Sequence, residues 1–141
     1  MSTEPTLLVI DDESGVLAVV DGFARRFGFN VVGRTDARAA LAELTVLRPD
    51  AVIVDLNMPD INGLDVLRAI PAIDPTCQII LMTGQPGVDT AIEAVKLGAL
   101  DYLSKPFDLE RLGSLLTGVR KHIERRERLV QVGRASCRER V

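Results

Sequence analysis

Four short runs, at residues 7–10, 51–54, 78–82 and 101–103, are rich in Val, Ile or Leu and do not alternate apolar with polar residues. A strand with one wet face alternates; a strand packed on both faces does not. The runs therefore predict a parallel sheet sandwiched between helices, and residues 30–33 add a weaker fifth strand.

The intervening segments carry helical spacing. Residues 14–27 place Leu17, Val20, Ala24 and Phe27 on one face, with Ser14 as N-cap and Gly28 as stop. Residues 36–47 do the same with Ala37, Ala40, Leu41, Leu44 and Leu47, capped by Thr35 or Asp36 and followed by Pro49. A third helix starts near Gly63, carries Leu64, Val66, Leu67 and Ile70, and is expected to end before Pro71. A fourth, from about Gly87 to Leu97, offers Val88, Ala91, Ile92 and Val95 and stops at Gly98. The fifth begins after Asp108 and uses Leu109, Leu112, Leu115, Leu116 and Val119. Strict strand and helix alternation with short connections is the pattern of right-handed βαβ units, so the fold class is α/β, a (βα)5 doubly wound parallel sheet. The strand order 2-1-3-4-5 is taken by analogy with other five-stranded doubly wound sheets.

At 141 residues and 47% hydrophobic content the chain supports one core, not two. The formal net charge of -3 gives no basic surface, so no direct nucleic-acid binding is expected of this segment. No secretory leader opens the chain, and no run approaches the roughly 20 apolar residues of a membrane span, so a cytoplasmic location is expected. Cys77 and Cys137 are far apart and have no CxxC or His partner, which argues against a disulfide framework or a zinc site.

In a sheet of this kind ligands bind beyond the carboxyl ends of the strands, at the switch point between strands one and three. Strand one runs into Asp11, Asp12 and Glu13, strand three into Asp55, strand four into Thr83 and Gly84, and strand five into Lys105 and Pro106. Neighbouring carboxylates repel unless a cation joins them. Mg²⁺ fits, because it takes oxygen ligands from one or two carboxylates and keeps sites free for a phosphate oxygen. Lys105 adds a second positive charge for a phosphoryl group. No GxxxxGK[ST] loop is present, so phosphate would be held by the metal, Lys105 and Thr83, and a covalent aspartyl-phosphate fits better than a bound nucleotide. Taken singly, each feature has a plainer explanation: a helix N-terminus that welcomes acid, a turn, or a solvated loop. Together, at successive strand ends, they point to a site.

The strings VIDDE at 9–13, VDLNMPDINGLDVL at 54–67, LMTG at 81–84 and DYLSKPF at 101–107 resemble the receiver domain of bacterial two-component response regulators. The resemblance spans roughly residues 6–120 and implies a flavodoxin-like sheet. It also implies that Asp55 is the phosphoacceptor, that Asp12, Asp55 and the backbone carbonyl of Asn57 hold Mg²⁺, and that Asp11 supports them. Lys105 resembles the phosphate-pairing lysine, with a cis bond to Pro106, and Thr83 and Tyr102 resemble the switch pair. Asn57 and Gln85 occupy positions that tune phosphoryl loss. The implied partners are a sensor histidine kinase as phosphodonor and an output domain, partner or second copy of the chain that reads the face of the fourth helix, fifth strand and fifth helix. Residues 87–112 are most similar in texture to receivers that precede an ATPase-type transcription activator of the nitrogen-regulator kind, which implies a role in transcription regulation. The implied domain is a signalling phosphoacceptor, not an enzyme that turns over a separate substrate.

Two rival readings carry their own tests. A Mg²⁺-dependent phosphatase of the haloacid-dehalogenase-like kind calls for Asp-x-Asp after strand one, where this chain has Asp11-Asp12-Glu13-Ser14. A pure interaction module that keeps the fold would have no need of Asp12, Asp55, Thr83 and Lys105 together. Residues 1–120 are assigned to the receiver domain and 121–132 to a charged helical extension or linker, whose His122 is remote in sequence from the acidic site, has no acidic partner arranged beside it and is not expected to carry phosphate. The last nine residues, GRASCRERV, resemble the conceptual translation of a sequencing adapter, so 133–141 are expected to be a non-native tail in place of native downstream sequence.

Overall fold

The computed structural model describes residues 4–59, 61–84, 87–106 and 108–139, the side chains of 88–91 and 127–139 excepted. Five strands alternate with five helices: β1 (Thr6–Ile10), α1 (Ser14–Arg25), β2 (Asn30–Arg34), α2 (Ala37–Leu47), β3 (Ala51–Asp55), α3 (Gly63–Ile73), β4 (Gln78–Thr83), α4 (Val88–Lys96), β5 (Asp101–Ser104) and α5 (Leu109–Glu139). The strands form one parallel sheet, as the apolar runs predict, in the order β2-β1-β3-β4-β5 expected by analogy.

The non-alternating runs are explained by two cores. Successive side chains on a strand point to opposite faces. Leu7, Val9, Ile53, Ile80 and Met82 pack with α1 and α5, against Val20, Ala24, Leu112, Leu116 and Val119. Leu8, Ile10, Val52, Val54, Ile79 and Leu81 pack on the other face, with α2, α3 and Ala94 of α4. The three central strands are buried along almost their whole length, whereas the edge strands β2 and β5 are partly wet.

Several helix expectations need correction. The N-cap of α1 is Glu13, with Ser14 the first helical residue, because the Asp11 carboxylate accepts from the Glu13 amide (2.9 Å) and turns the chain one residue early. Helix α1 ends at Arg25, short of Phe27, and the chain reverses through Gly28 at φ +84°, a region that favours glycine. Of the two candidate caps for α2, Asp36 serves, its carboxylate accepting from Arg38 and Ala39. Helix α3 passes through Pro71 to Ile73. Proline removes a single intrahelical bond there, and the ladder closes again with the Asp74 amide donating to the Ile70 carbonyl at 2.8 Å. On α4 the expected core face is rotated: Ile92 (48% exposed) and Val95 (69%) face solvent and Ala94 is buried. Seated at the β5 side of the sheet, this nine-residue helix approaches through a small side chain. The side chains of Val88 and Ala91 lie outside those described. Leu109, expected inside, is 44% exposed at the start of α5.

Packing of α5 continues beyond Arg120. Ile123 is 4% exposed and belongs to the core shared with α1. One turn further, the Arg126 guanidinium donates to the Thr76 carbonyl (2.9 Å) and to Asp50 Oδ1 (3.1 Å), while Asp50 Oδ2 accepts from the Thr6 amide (2.8 Å). The extension is thus tied to the segments that lead into β1, β3 and β4. Beside this rim, burial, followed by the charges of Asp74 and Asp50, pushes the Cys77 thiol up to about 12, so it stays protonated and unreactive near neutral pH. Cys137 lies outside the described side chains, as does any question of its pairing. Among the described residues no helix is long and apolar enough to cross a membrane.

Candidate functional site

The parallel register brings the strand ends level. Ile10 pairs with Val54, so Asp11 follows β1 beside Asp55, and Thr83 pairs with Ser104, so Lys105 follows β5 at the same height. Hydrogen bonds extend each ladder: the Asp11 amide donates to the Arg34 carbonyl, the Leu56 amide to Met82 and the Lys105 amide to Thr83. Residues spread over almost a hundred positions therefore meet in one pocket.

Asp11 is fully buried, Asp55 is 3% exposed and Thr83 2%, while Asp12 lies at the exposed lip. One carboxylate oxygen from each of Asp11, Asp12 and Asp55 lies within 4.8 Å of the others, close enough for one ion. The Lys105 ammonium stands 2.6 Å from Asp11 Oδ2 and 3.1 Å from Asp55 Oδ2. Burial pushes the Asp11 carboxyl above its usual range and the Asp55 charge adds to this, partly offset by Lys105 and the Glu13 amide. Burial alone would lower Lys105, but its bonds to Asp11 and Asp55 outweigh that and raise it, so it is a fixed cation. Three carboxylates face one ammonium. The remaining negative charge and the all-oxygen donor set suit a hard divalent cation.

The other expected residues are placed unequally. The Asn57 amide donates to Asp55 Oδ1 (3.0 Å) and its carboxamide Nδ2 donates to Thr83 Oγ1 (3.2 Å). Tyr102 lies on β5 outside the pocket, 37% exposed, and its carbonyl accepts from Arg111. The Lys105–Pro106 bond is cis, as expected. Gln85 lies outside the described residues. His122 is exposed on α5, at a distance in the fold from the strand ends that carry the acids. Sequence reasoning passed over the side chain of Glu13, whose Oε1 comes within 3.7 Å of Lys105 Nζ at the rim; its place directly after Asp11 and Asp12 was the available signal.

A family profile for the response regulator receiver domain matches residues 7–117. The chain belongs to the response regulator receiver domain family. This receiver is 39% identical over 110 residues to the transcriptional regulatory protein PrrA of Mycobacterium tuberculosis, covering 78% of this chain and 47% of that protein. It is 34% identical over 116 residues to the transcriptional regulatory protein ZraR of Escherichia coli, covering 82% of this chain and 26% of that protein. Among solved structures, the beryllofluoride-activated NtrC4 receiver domain dimer superposes with a TM-score of 0.78 at 28% identity, covering 83% of this chain and 98% of that one. The chain thus spans about half the length of PrrA and a quarter of ZraR.

Gly63 carries a sharp expectation for this receiver. It closes the loop after Asp55, its amide donating to the Leu56 carbonyl at 3.2 Å, and a Cβ there would stand 2.5 Å from Leu56 Cα and 2.8 Å from the Asp55 carbonyl oxygen. Both neighbours are backbone and cannot rotate aside. Gly63→Ala is expected to destabilise the domain by about 1–3 kcal/mol in urea unfolding, since overpacked positions must shift the main chain. Wild-type stability in that variant would contradict the close approach.

Proposed function

We propose that this receiver is a phosphorylation switch that accepts a phosphoryl group on Asp55 from a phosphohistidine of a sensor histidine kinase, with Mg²⁺ held by Asp12, Asp55 and the Asn57 carbonyl and supported by Asp11. The observation that carries the reading is the convergence of the Asp11, Asp12 and Asp55 oxygens on one point, with Lys105 against two of them. In this reading an Asp55 oxygen forms the new O–P bond as the donor's N–P bond breaks and the imidazole leaves. Lys105 holds a phosphoryl oxygen as charge spreads over the group, and its fixed positive charge needs no rearrangement to do so. When bound, Mg²⁺ neutralises the carboxylates and takes up negative charge from the phosphoryl oxygens. A 670 Å³ depression lined by Glu13, Val16, Val19, Gly84, Pro106 and Leu109 adjoins the site at Lys105, on the side from which a donor would approach.

The output is a population shift of the α4-β5-α5 face, biased by Thr83 and Tyr102. Exposed Ile92, Val95, Leu100 and Tyr102 give that face apolar surface for a partner, an output domain or a second copy to read. The kinship with the transcriptional regulatory proteins PrrA and ZraR supports a role in transcription regulation, which we place in the cytoplasm, and the NtrC4 receiver domain dimer supports self-association. Within the chain we assign 1–120 to the receiver, 121–132 to a helical extension that leads to an output domain, and 133–141 to a non-native tail.

The test is label transfer from a phosphohistidine donor or from acetyl phosphate. Wild-type protein is expected to take up label only with Mg²⁺ present, and Asp55→Asn to take up none while keeping its far-ultraviolet circular dichroism. Labelling of Asp55→Asn to the wild-type extent refutes the assignment, and turnover of simple phosphate esters without a donor kinase would favour the phosphatase instead.

A further inference from the structure

We propose that the Asn57 carboxamide is a latch that holds Thr83 in its unphosphorylated arrangement, so that Asn57 positions the switch as well as lining the site. The inference rests on the reading of Asp55 as phosphoacceptor and adds the device that sets the resting state.

Two bonds of one residue carry the argument. The Asn57 main-chain amide donates to Asp55 Oδ1 at 3.0 Å, and the side-chain Nδ2 of the same residue donates to Thr83 Oγ1 at 3.2 Å. Asn57 thereby spans the acceptor carboxylate and the hydroxyl that must respond to it. The partners at the two ends are buried, with Asp55 3% and Thr83 2% exposed, whereas Asn57 itself is exposed at the rim of the pocket. The acceptor end of the bond is buried although its donor sits on an exposed residue, so the bond biases the position of Thr83 by the modest net worth of one neutral hydrogen bond. The chemistry requires a donor. An apolar side chain at 57 offers nothing to Oγ1, and an aspartate would add a fourth carboxylate to a pocket with one ammonium.

Phosphorylation supplies the release. A phosphoryl oxygen on Asp55 is a charged acceptor, and a hydroxyl bond to a charged partner is roughly twice as strong as one between neutral groups. The Thr83 hydroxyl accepts from Asn57 through a lone pair and donates through its own O–H, so the Asn57 bond is given up only because reaching the phosphoryl oxygen carries Oγ1 away from Asn57 Nδ2. The latch strength contributes to how much of the domain adopts the active-like arrangement before any phosphoryl group arrives.

The experiment uses the full chain and its own reporter. Tyr102 is the single tyrosine and there is no tryptophan, so tyrosine fluorescence and its quenching by acrylamide report on one ring of the switch face. Beryllofluoride with Mg²⁺ serves as the phosphoryl mimic and defines the active-like signal in wild-type protein. Without it, Asn57→Ala is expected to shift quenching part-way toward that signal, with the active-like fraction rising roughly two- to tenfold, the range one neutral hydrogen bond supports. Thr83→Ala added to Asn57→Ala is expected to produce no further shift of that kind, since the latch has one partner to lose. In unsubstituted protein the Asn57 side-chain amide resonance should move when beryllofluoride binds, a readout that holds even where Asn57→Ala folds poorly. A wild-type chain that takes no label on Asp55 overturns the phosphoacceptor reading and the latch with it. A chain that labels normally, yet shows an unmoved Asn57 resonance or unchanged quenching in folded Asn57→Ala, overturns the latch alone.

Discussion

Lys105→Met is expected to lower the stability of the metal-free receiver by about 3–5 kcal/mol, the range seen when one member of a buried ion pair is removed. Among the described residues no other cation is close enough to take over. Lys105 Nζ lies 2.6 Å from Asp11 and 3.1 Å from Asp55, and the side chains of these acids are 0% and 4% exposed while that of Lys105 is only 15% exposed. Solvent therefore screens the loss poorly. Methionine keeps the length of the side chain, so the effect reads the missing charge more than a cavity. Millimolar Mg²⁺ should recover more stability in the variant than in wild type, because the carboxylates then have only the ion to offset them. Urea unfolding of both proteins with and without Mg²⁺ gives the four values needed. Equal stabilities in the metal-free pair would mean that the acidic pocket does not depend on its ammonium. Phosphoryl uptake by the variant is expected to slow by about 10²–10³, the usual consequence of removing one preorganised electrostatic donor.

How much of this was legible without coordinates follows from the range over which each feature is determined. The non-alternating runs encode burial on two faces for the three central strands, a local property, and together with the weaker run at 30–33 the apolar runs located all five strands to within two residues at each end. The acidic strand ends and Lys105 were legible because the parallel register converts position at a strand terminus into position in space. Helix faces were less secure. Ile92 and Val95 satisfy helical spacing on α4 yet face solvent, because periodicity finds an apolar stripe without saying whether a sheet or a partner covers it. Pro71 marks a stop by local rules, but the packing of Ile70 and Leu67 holds the helix together for another turn. The Asn57 to Thr83 bond joins residues 26 positions apart through side chains alone, and no spacing rule reaches that far.

The extension of α5 is where charge composition concealed packing. Read by its lysines and arginines, the stretch after Arg120 is a solvated helix end, yet Ile123 continues the stripe of Leu112, Leu116 and Val119 into the core, and Arg126 clasps Asp50 and Thr76. Ending the chain after Arg120 is therefore expected to cost about 3–5 kcal/mol relative to a chain ending after Arg126. Ile123→Ala should account for about 2–4 of this through lost burial and the cavity left behind. Arg126→Ala should cost about 1–2, since its guanidinium is partly solvated and half of its contact is to a main-chain carbonyl. Chemical unfolding of the two truncated chains and two point variants tests the division, and equal stability of the two truncated chains would show the extension to be undocked. The functional consequence follows from where the clasp sits. Asp50 and Thr76 lie at the amino ends of β3 and β4, opposite the acidic pocket, so a helix held there leaves the domain in a fixed direction from its far rim. Whatever follows it would inherit that direction, and Arg126→Ala should loosen it, read as faster amide exchange over residues 121–130, without altering phosphoryl uptake at Asp55.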